Sequence, residues 1–454
     1  MSSLKIFNNT IEIVKSDTSD SHIYYDVLIT NMDSSSTAPI PLTYKSNRSS
    51  PIIMNCSEWY FSIIRFTLDT LSLPVFIPSI DLSSTSTTSI SLNSLVPQPT
   101  IYSITLTYTT NGTTYIGDQT FVQWLPESLY TSTPNNTSNY QDNSTNYYSC
   151  YSYNYWINLV NKALSAAFTS LKTVVENDDA IFSYTNPPFF VWNNDTATAT
   201  LNCDLGSSEG GFATLFYNGA TSASANPNIG ITPYSYGQIS VFFNSQLYNL
   251  FNSLPCFIYG YGTAMNIPFP TQYDTTTGQI TETSSYSVPG ANVQILCNVY
   301  SSQNILSSST TFPFQAVDAI QYIQVQQEYS TTPAWNPVKS LVFTSNTIPV
   351  IPTDVGAPYI YNGNQIIAQS ANANIISSIT DFCSSNADYR GYINYTPSGE
   401  YRLIDMNSNT PLSDINISVF WMDRSGNLIP FYLLAGCSCS LKLMFRSKLF
   451  NSDY

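Results

Sequence analysis

The chain has 454 residues and a formal net charge of −15; 43% of its residues are hydrophobic, 14% aromatic and only 9% charged. Global disorder is excluded, because disorder requires low hydrophobicity together with high charge. With one histidine and 14 basic residues, the chain is poorly equipped for acid–base catalysis and for nonspecific nucleic-acid binding, which needs many Lys and Arg side chains.

The first 17 residues are polar and lack the apolar core of a secretory signal. No stretch of the sequence reaches the roughly 18–20 apolar residues of a membrane-spanning helix. We therefore expect a protein that is made inside a cell and has no membrane span. His22 follows this stretch, and we interpret it as an exposed loop residue rather than as a member of a catalytic triad.

Alternating apolar and polar residues recur along the chain and predict β-strands with one buried face. Examples are Tyr102–Tyr108, Ile415–Trp421 and Cys437–Phe445. Phe61–Phe66 and Leu341–Phe343 are apolar on both faces, which is typical of strands between two layers. These patterns favour a mainly β fold over an enzyme built on alternating strands and helices.

Two segments in the middle of the chain have helical spacing of their apolar residues. Tyr155–Val175 predicts one amphipathic helix, and Asn244–Leu254 predicts a second, shorter one. Four polar stretches are expected to be exposed loops: Ser83–Ser94, Thr131–Ser149, Ser207–Pro227 and Thr271–Pro289. Because residues 126–290 hold both helices and most of these loops, we predict a β-rich base formed by residues 1–125 together with 291–454. Residues 126–290 are then an inserted projecting region, although two successive domains would explain the same pattern.

The clearest hairpin joins Ile415–Met422 to Leu428–Leu434. Its turn contains Gly426, which can adopt the left-handed conformation that a type I turn with a G1 bulge requires. Pro430 follows the turn and cannot donate a backbone hydrogen bond, so we expect an edge or a bulge there.

Residues that could carry chemistry are scattered. Eight cysteines are spread over the chain and predict buried, reduced thiols; Cys437 and Cys439 fall on one face of a strand and should point into the core. The run Glu176–Asp179 lacks the spacing of an EF-hand loop and predicts a solvated acidic loop. With no phosphate-binding loop and no nucleophile motif, we predict no catalytic, cofactor-binding or metal-binding residue and no cofactor.

Two clusters suggest contact surfaces. Five tyrosines precede the first predicted helix and are either ordinary structural residues or a recognition surface: Tyr147, Tyr148, Tyr151, Tyr153 and Tyr155. Lys442, Arg446 and Lys448 form a mild basic cluster, which we interpret as a solvated strand face and strand end rather than as a nucleic-acid contact.

Several segments together resemble the minor capsid (penton) proteins of virophages, polinton-like viruses and adintoviruses: Ser57–Phe66 with Leu73–Pro78, Trp335–Pro337 before Leu341–Phe343, Tyr401–Asp405, the hairpin from Ile415 to Pro430, and Leu441–Arg446. The resemblance covers both ends of the chain better than the middle. It implies an antiparallel jelly-roll base and a homopentamer at the icosahedral five-fold vertices of a virion capsid assembled inside the host cell. It also implies that major capsid proteins are neighbours and that the inserted region projects outward, where its loops could meet a host receptor.

Two other functions remain open at this point. An attachment or spike protein would use its loops to recognise a receptor or glycan, and would be expected to form trimers with an aromatic-lined pocket. A β-sandwich hydrolase would need two converging carboxylates. We therefore predict a structural capsid protein, with an attachment protein as the alternative.

Overall fold

The computed structural model describes residues 12–16, 21–31, 39–81, 96–110, 113–127, 141, 143, 145–178, 180, 182, 186–204, 238–254, 256–258, 265–274, 279–288, 293–295, 305–308, 320–350, 359–362, 365–369, 374–379, 391–396 and 402–449. Strands dominate these residues. Only one described strand pair is parallel, so the predicted mainly β, antiparallel fold is confirmed.

The elements fall into three consecutive parts of the chain. The first part contains β1 (Glu12–Ser16), β2 (His22–Thr30), β3 (Ile40–Pro41), β4 (Thr43–Asn47), a 3₁₀ turn (Cys56–Glu58) and β5 (Trp59–Asp69). The middle part contains β6 (Gln98–Thr110), β7 (Thr113–Ile116), β8 (Thr120–Trp124), a 3₁₀ turn (Asn146–Tyr148), α1 (Tyr153–Asn177), β9 (Phe189–Asn193), β10 (Thr198–Asp204), β11 (Gln238–Phe243), α2 (Ser245–Leu250), β12 (Cys256–Ile258), β13 (Met265–Asp274), β14 (Gln279–Val288), β15 (Val293–Ile295), β16 (Ile305–Ser308), β17 (Ile320–Gln326) and α3 (Thr332–Trp335). The last part contains β18 (Val338–Ser345), β19 (Tyr359–Asn362), β20 (Gln365–Gln369), β21 (Asn374–Ile379), β22 (Tyr392–Tyr395), β23 (Ile404–Asp405), β24 (Asp414–Asp423), β25 (Leu428–Pro430), β26 (Tyr432–Leu433) and β27 (Ser438–Ser447).

The first and last parts of the chain build two sheets together. The first sheet has the order β1-β2-β27-β5-β22, with β23 also on β5; the second has the order β20-β19-β25-β24-β18-β21, with β4 also on β24. Eight of these strands pair in a nested way: β2 with β27, β4 with β24, β5 with β22, and β18 with β21. A long antiparallel ribbon that folds over into two sheets produces this nesting, which is the pairing expected for a jelly roll.

The two sheets bury their inner faces against each other. The strands contribute alternate residues to this core: Tyr25, Val27, Phe61, Phe66, Leu441, Leu443 and Phe445 from the first sheet, and Tyr44, Leu341, Phe343, Ile415, Ile417, Val419 and Trp421 from the second. The rings of Phe66 and Phe343 meet at 5.2 Å between the sheets. The hydroxyls of Tyr25 and Tyr44 form a buried hydrogen bond of 2.7 Å across the same interface. Apolar packing and a buried hydrogen bond therefore both connect the two sheets.

The predicted hairpin near the C-terminal end is confirmed. Trp421 pairs with Ile429, and the turn is closed by the hydrogen bond from the Gly426 N–H to the Asp423 carbonyl, at 3.1 Å. Gly426 has φ of +86°, the left-handed conformation that the turn requires. The strand is interrupted just after Pro430, and the chain continues as β26, which pairs with β3 instead.

The middle part of the chain is inserted between β5 and β18, the third and fourth of the eight nested strands. One of its sheets has the order β12-β15-β11-β6-β7, with β8 also on β6, and a second has the order β16-β17-β10-β9. Helix α1 packs between these sheets through a buried stripe that includes Trp156, Leu164 and Leu171. Both predicted helices are confirmed, α1 being two residues longer at each end than expected and α2 ending at Leu250.

Two of the predicted loops are wrong in part. Within Thr271–Pro289, β14 pairs with β13 as a hairpin, because threonine and isoleucine fit a pleated strand even in a polar sequence. At the end of Thr131–Ser149, a 3₁₀ turn buries Tyr147 and Tyr148. The other two predicted loops, Ser83–Ser94 and Ser207–Pro227, lie outside the described residues.

The described residues form two main hydrophobic cores. One lies between the first and second sheets, which we call the base sheets. The other is built from residues between Val75 and Trp335 and includes β6 and β8. Ile77 packs against both cores. Among the residues that the structure describes, no helix is long and apolar enough to cross a membrane.

Charge is divided unevenly between these parts. Residues 74–337 hold 14 of the 29 acidic residues and 2 of the 14 basic residues, a formal net charge of −12. The rest of the chain holds 15 acidic and 12 basic residues, a net charge of −3. The two cores therefore belong to parts of the molecule with different electrostatic character.

Asn161 shows how helix α1 is attached to the neighbouring sheet. This buried amide accepts a hydrogen bond from the Phe190 N–H at 2.7 Å and donates one to the Phe190 carbonyl at 2.9 Å. It thereby satisfies one residue of β9, which lies at the edge of its sheet.

Replacing Asn161 by leucine is expected to destabilise the protein by roughly 2–4 kcal/mol, because two buried backbone groups lose their partners. Chemical unfolding followed by circular dichroism measures this change. Lys162→Leu is the matched control, since Lys162 is exposed on the same helix. Equal stability of the two variants would mean that the Phe190 backbone finds water or another partner.

Candidate assembly surfaces

The outer face of the first base sheet carries tyrosine rings with ammonium groups above them. Tyr24 and Lys442 lie on adjacent strands, and the Lys442 Nζ sits 5.3 Å from the Tyr24 ring centre. Lys448 stands in the same way over Tyr60, at 5.2 Å. These cation–π contacts hold the rings and the charges together on one face of the sheet.

Two carboxylates partly neutralise the lysines of this face. The Lys448 Nζ lies 2.9 Å from Asp405 Oδ1, and the Lys442 Nζ lies 3.9 Å from Asp26 Oδ2. The Asp26 Oδ1 atom is buried and has no hydrogen-bond partner in the described part of the chain. Each lysine therefore already has an ion-pair partner and a cation–π contact within its own chain.

Two arginines on the same face have no such ion pair with the described residues. Arg65 lies beside Lys442 in the strand register, and Arg446 lies beside Tyr60. Neither guanidinium makes a hydrogen bond or ion pair with a residue that the structure describes. Four residues along β27 separate their two positions, which corresponds to about 13 Å. The sequence cluster Lys442, Arg446 and Lys448 thus lies on a strand face as predicted, and the fold adds Arg65, Tyr24 and Tyr60 to it.

The prediction that His22 is an exposed loop residue is wrong. His22 begins β2 and is only partly exposed. Its Nδ1 lies 2.8 Å from the Ser21 hydroxyl, and its ring is nearly parallel to that of Tyr24 at 6.1 Å. The strand continues to the histidine because His22 still pairs with Arg446 of β27.

An exposed acidic and aromatic pair lies on the inserted part, shortly before the chain returns to the base. The Tyr329 side chain is 58% exposed, and Glu328 is exposed beside it. The Glu328 backbone N–H donates to the Ser253 carbonyl at 3.2 Å, which fixes this segment to the end of the α2 region. The Glu328 carboxylate itself has no hydrogen bond or ion pair with the described residues.

The chain passes between the base and the inserted part twice, and side-chain contacts stabilise the junction at both crossings. Phe76, just after the first crossing, contacts Trp156 of α1 at 4.7 Å between ring centres and Trp335 at 5.9 Å. Trp335 precedes the second crossing. From the base hairpin, the Arg424 guanidinium donates to the backbone carbonyls of Asn336, at 2.9 Å, and of Pro333. These contacts fix the orientation of the insertion on the base.

Three of the five clustered tyrosines are held by structural contacts and are not presented as an open recognition surface. Tyr147 and Tyr148 are fully buried and meet edge to face at 5.0 Å. The Tyr155 hydroxyl donates to the Leu125 carbonyl at 2.8 Å, and burial raises the pKa of Tyr155 to about 12. Of the two interpretations that the sequence left open, the structural one is right for these three side chains. Tyr147 and Tyr148 belong to the buried 3₁₀ turn, and Tyr155 lies in the first turn of α1 and bonds to the chain after β8.

The acidic run Glu176–Asp179 begins inside α1, so the predicted acidic loop is wrong for its first two residues. Glu176 lies within the helix and pairs with Lys172 at 3.6 Å, and the Asp178 carboxylate accepts a hydrogen bond from the Tyr115 hydroxyl at 2.9 Å. That hydrogen bond raises the pKa of Tyr115. Asp179 lies outside the described residues. No group of three or more His, Cys, Asp or Glu side chains in the described part of the chain could hold a metal ion.

The cysteines of the described segments are free thiols, and five of the six are buried. Cys437 and Cys439 both face the base core, as the strand pattern predicted. Burial raises the pKa of both thiols, so neither is ionised at neutral pH. Cys297 and Cys383 lie outside the described residues.

Alkylation should reveal this burial. We expect iodoacetamide at pH 8 to leave Cys437 and Cys439 unmodified in the native protein and to modify both in denaturant, because the reactive thiolate is suppressed and shielded. Mass spectrometry of the peptides gives the extent at each position, and the partly exposed Cys256 serves as the internal reference. Rapid native modification of Cys439 would contradict its position in the core.

Comparisons with known proteins agree on one family. A family model described as Sputnik minor capsid protein V18/19 matches residues 23–447. Structural protein V19 of Sputnik virophage is 29% identical over 128 residues, which cover 28% of this chain and 57% of that protein. Uncharacterized protein V18 of the same virophage is 30% identical over 170 residues, covering 35% of this chain and 90% of that protein. The match therefore spans little more than half the length of the V19 relative.

Two solved structures share the fold over nearly the whole chain. A chain of the cryo-EM structure of the Sputnik virophage superimposes with a TM-score of 0.62 at 24% identity, covering 96% of this chain and 99% of that one. The mavirus penton protein gives a TM-score of 0.50 at 13% identity, covering 94% and 99%. The shared fold includes the inserted part, where the sequence resemblance is weakest. These relatives do not favour the attachment-protein alternative.

Proposed function

This chain belongs to the family of the Sputnik minor capsid protein V18/19, and from that premise we propose that it is a structural protein of a virophage capsid, with no catalytic role. The observation that carries the proposal is the nested eight-strand sandwich with one insertion between β5 and β18. A sandwich of this kind offers broad faces for contacts between subunits. Its place of action is the virion capsid, assembled inside the host cell.

The assembly that we propose is a homopentamer at the five-fold vertices. Likeness of fold to the mavirus penton protein supports this stoichiometry. A five-membered ring uses heterologous contacts, in which one surface of each subunit meets a different surface of the next. Major capsid proteins are the neighbours of the ring, and host receptors are partners that exposed loops of the insertion could meet.

We further propose a division of labour within the chain. The base is formed by residues before 74 together with those after 337, and residues 74–337 project from it. The sequence patterns predicted the corresponding boundaries at 126 and 290, with residues 1–125 in the base. The revised boundaries follow the two cores, since β6 and β8 pack with α1 rather than with the base sheets.

Negative-stain imaging and mass photometry of the purified full chain test the proposal. We expect rings with five-fold symmetry and a mass five times that of the 50.4 kDa chain. A trimer that binds glycans would instead support the attachment-protein alternative. A chain that stays monomeric at tens of micromolar, alone and with its major capsid protein, would overturn the proposed assembly.

A further inference from the structure

We propose that the basic outer face of the first base sheet docks the acidic Glu328–Tyr329 segment of the adjoining copy of this chain. Arg446 and Arg65 are the receiving side chains. This inference rests on the proposed ring, and it names the two unlike surfaces that such a ring requires.

The receiving face is distinctive in a chain of this charge. Four of the 14 basic residues of the chain lie on it: Arg65, Lys442, Arg446 and Lys448. The two lysines are already paired with Asp26 and Asp405, whereas the two arginines have no partner among the described residues. A guanidinium offers a planar fork of donors that matches a carboxylate. The two arginines of this face are therefore available to bind acidic groups.

The occupant is indicated by complementary charge. The inserted part has a net charge of −12. Near its junction with the base it presents the exposed ring of Tyr329 and the Glu328 carboxylate, which has no partner among the described residues. Tyrosine and arginine are among the residues that contribute most to protein interfaces. Tyr24 and Tyr60, which are partly exposed and held by the lysines, give the incoming ring aromatic surface to contact.

A neighbouring copy is favoured over nucleic acid. Two acids are interleaved with the four cations of the face, and the two free arginines are about 13 Å apart along the strand direction. Binding to nucleic acid gains its affinity from many phosphate contacts, whereas this face offers two. The net charge of −15 would also repel a polyanion.

A charge exchange in the full-length protein tests the assignment. Arg446→Glu and Glu328→Arg should each raise the concentration at which rings dissociate by roughly tenfold or more, as measured for close interfacial charge pairs. The double variant Arg446→Glu with Glu328→Arg should recover most of that loss, because the attraction is restored with its sign exchanged. Mass photometry over a dilution series gives these concentrations, and circular dichroism melts verify folding.

Matched controls change the same charges elsewhere. Lys162→Glu reverses an exposed charge on α1, and Asp195→Arg reverses an exposed acid in the turn after β9; both should assemble like the unmodified chain. Failure of the unmodified chain to form rings, alone and with its major capsid protein, would overturn the proposed pentameric assembly. If rings form but Arg446→Glu behaves like Lys162→Glu, or if the double variant regains nothing, the docking assignment is wrong. Submicromolar binding of a DNA duplex at 150 mM salt that Arg446→Glu abolishes, with rings unaffected, would reassign the face to nucleic acid.

Discussion

Replacing Phe343 by alanine is expected to destabilise the base by roughly 3–5 kcal/mol, the usual cost of removing a buried aromatic side chain. Phe343 is fully buried on β18, and its ring meets that of Phe66 at 5.2 Å across the sandwich. The truncation would leave a cavity between the two sheets, at the point where the third and fourth nested strands face each other. Because a capsid subunit assembles only when folded, ring formation should fail along with the stability of the base.

Urea unfolding of the purified chain, followed by tryptophan fluorescence, measures the loss. Lys339→Ala is the control on the same strand; its side chain is exposed, so its effect should stay within about 0.5 kcal/mol. A loss below roughly 1 kcal/mol for Phe343→Ala would mean that the sheets are not interlocked at this position.

Replacing Trp335 by alanine is expected to destabilise the inserted part by roughly 3–5 kcal/mol while leaving the base folded. The indole is buried and contacts Phe76, Phe251 and Trp192 at 5.9, 5.3 and 5.6 Å between ring centres. Its Nε1 also donates to the Leu250 carbonyl at 2.6 Å. Removing it empties the centre of the junction and leaves that carbonyl without one of its donors.

Hydrogen exchange measured by mass spectrometry separates the two parts. Protection should fall in α1 and β9 and persist in β5 and β27, since these elements belong to different cores. Trp335→Phe keeps most of the ring contacts and removes only the donor, so it should cost roughly 1–3 kcal/mol. Equal loss of protection in both parts would show instead that the insertion and the base unfold as one unit.

Local patterns predicted the elements of this protein well. The helix at Tyr153–Asn177 and the hairpin around Gly426 follow from side-chain periodicity and turn chemistry, which act over a few residues. The hairpin formed by β13 and β14 was missed, because its serines and threonines resemble those of a loop. The burial of Tyr147 and Tyr148 was left open for a related reason, since an aromatic sequence does not say what will cover it.

The candidate surface was predicted only in the part that one strand supplies. Lys442, Arg446 and Lys448 are visible as a cluster because they follow each other along β27. Strand pairing places Arg65 and Tyr24 on the same face. Glu328 became a candidate contact residue only because the fold exposes it beside Tyr329. A polar residue in an apolar run, such as Arg65 within Phe61–Phe66, is the one sequence signal that could have pointed to the face.

By itself, the sequence determined that this protein is mainly β and that the middle of the chain contains a helix, because periodicity acts locally. Composition determined that the chain has few charged residues and a negative net charge. The tertiary structure alone decided which strands meet and where the insertion enters. Asn31 donates its side-chain hydrogen bond to Leu433, 402 positions away. Pairing over such distances depends on the complementarity of whole faces, and no short stretch of sequence encodes it.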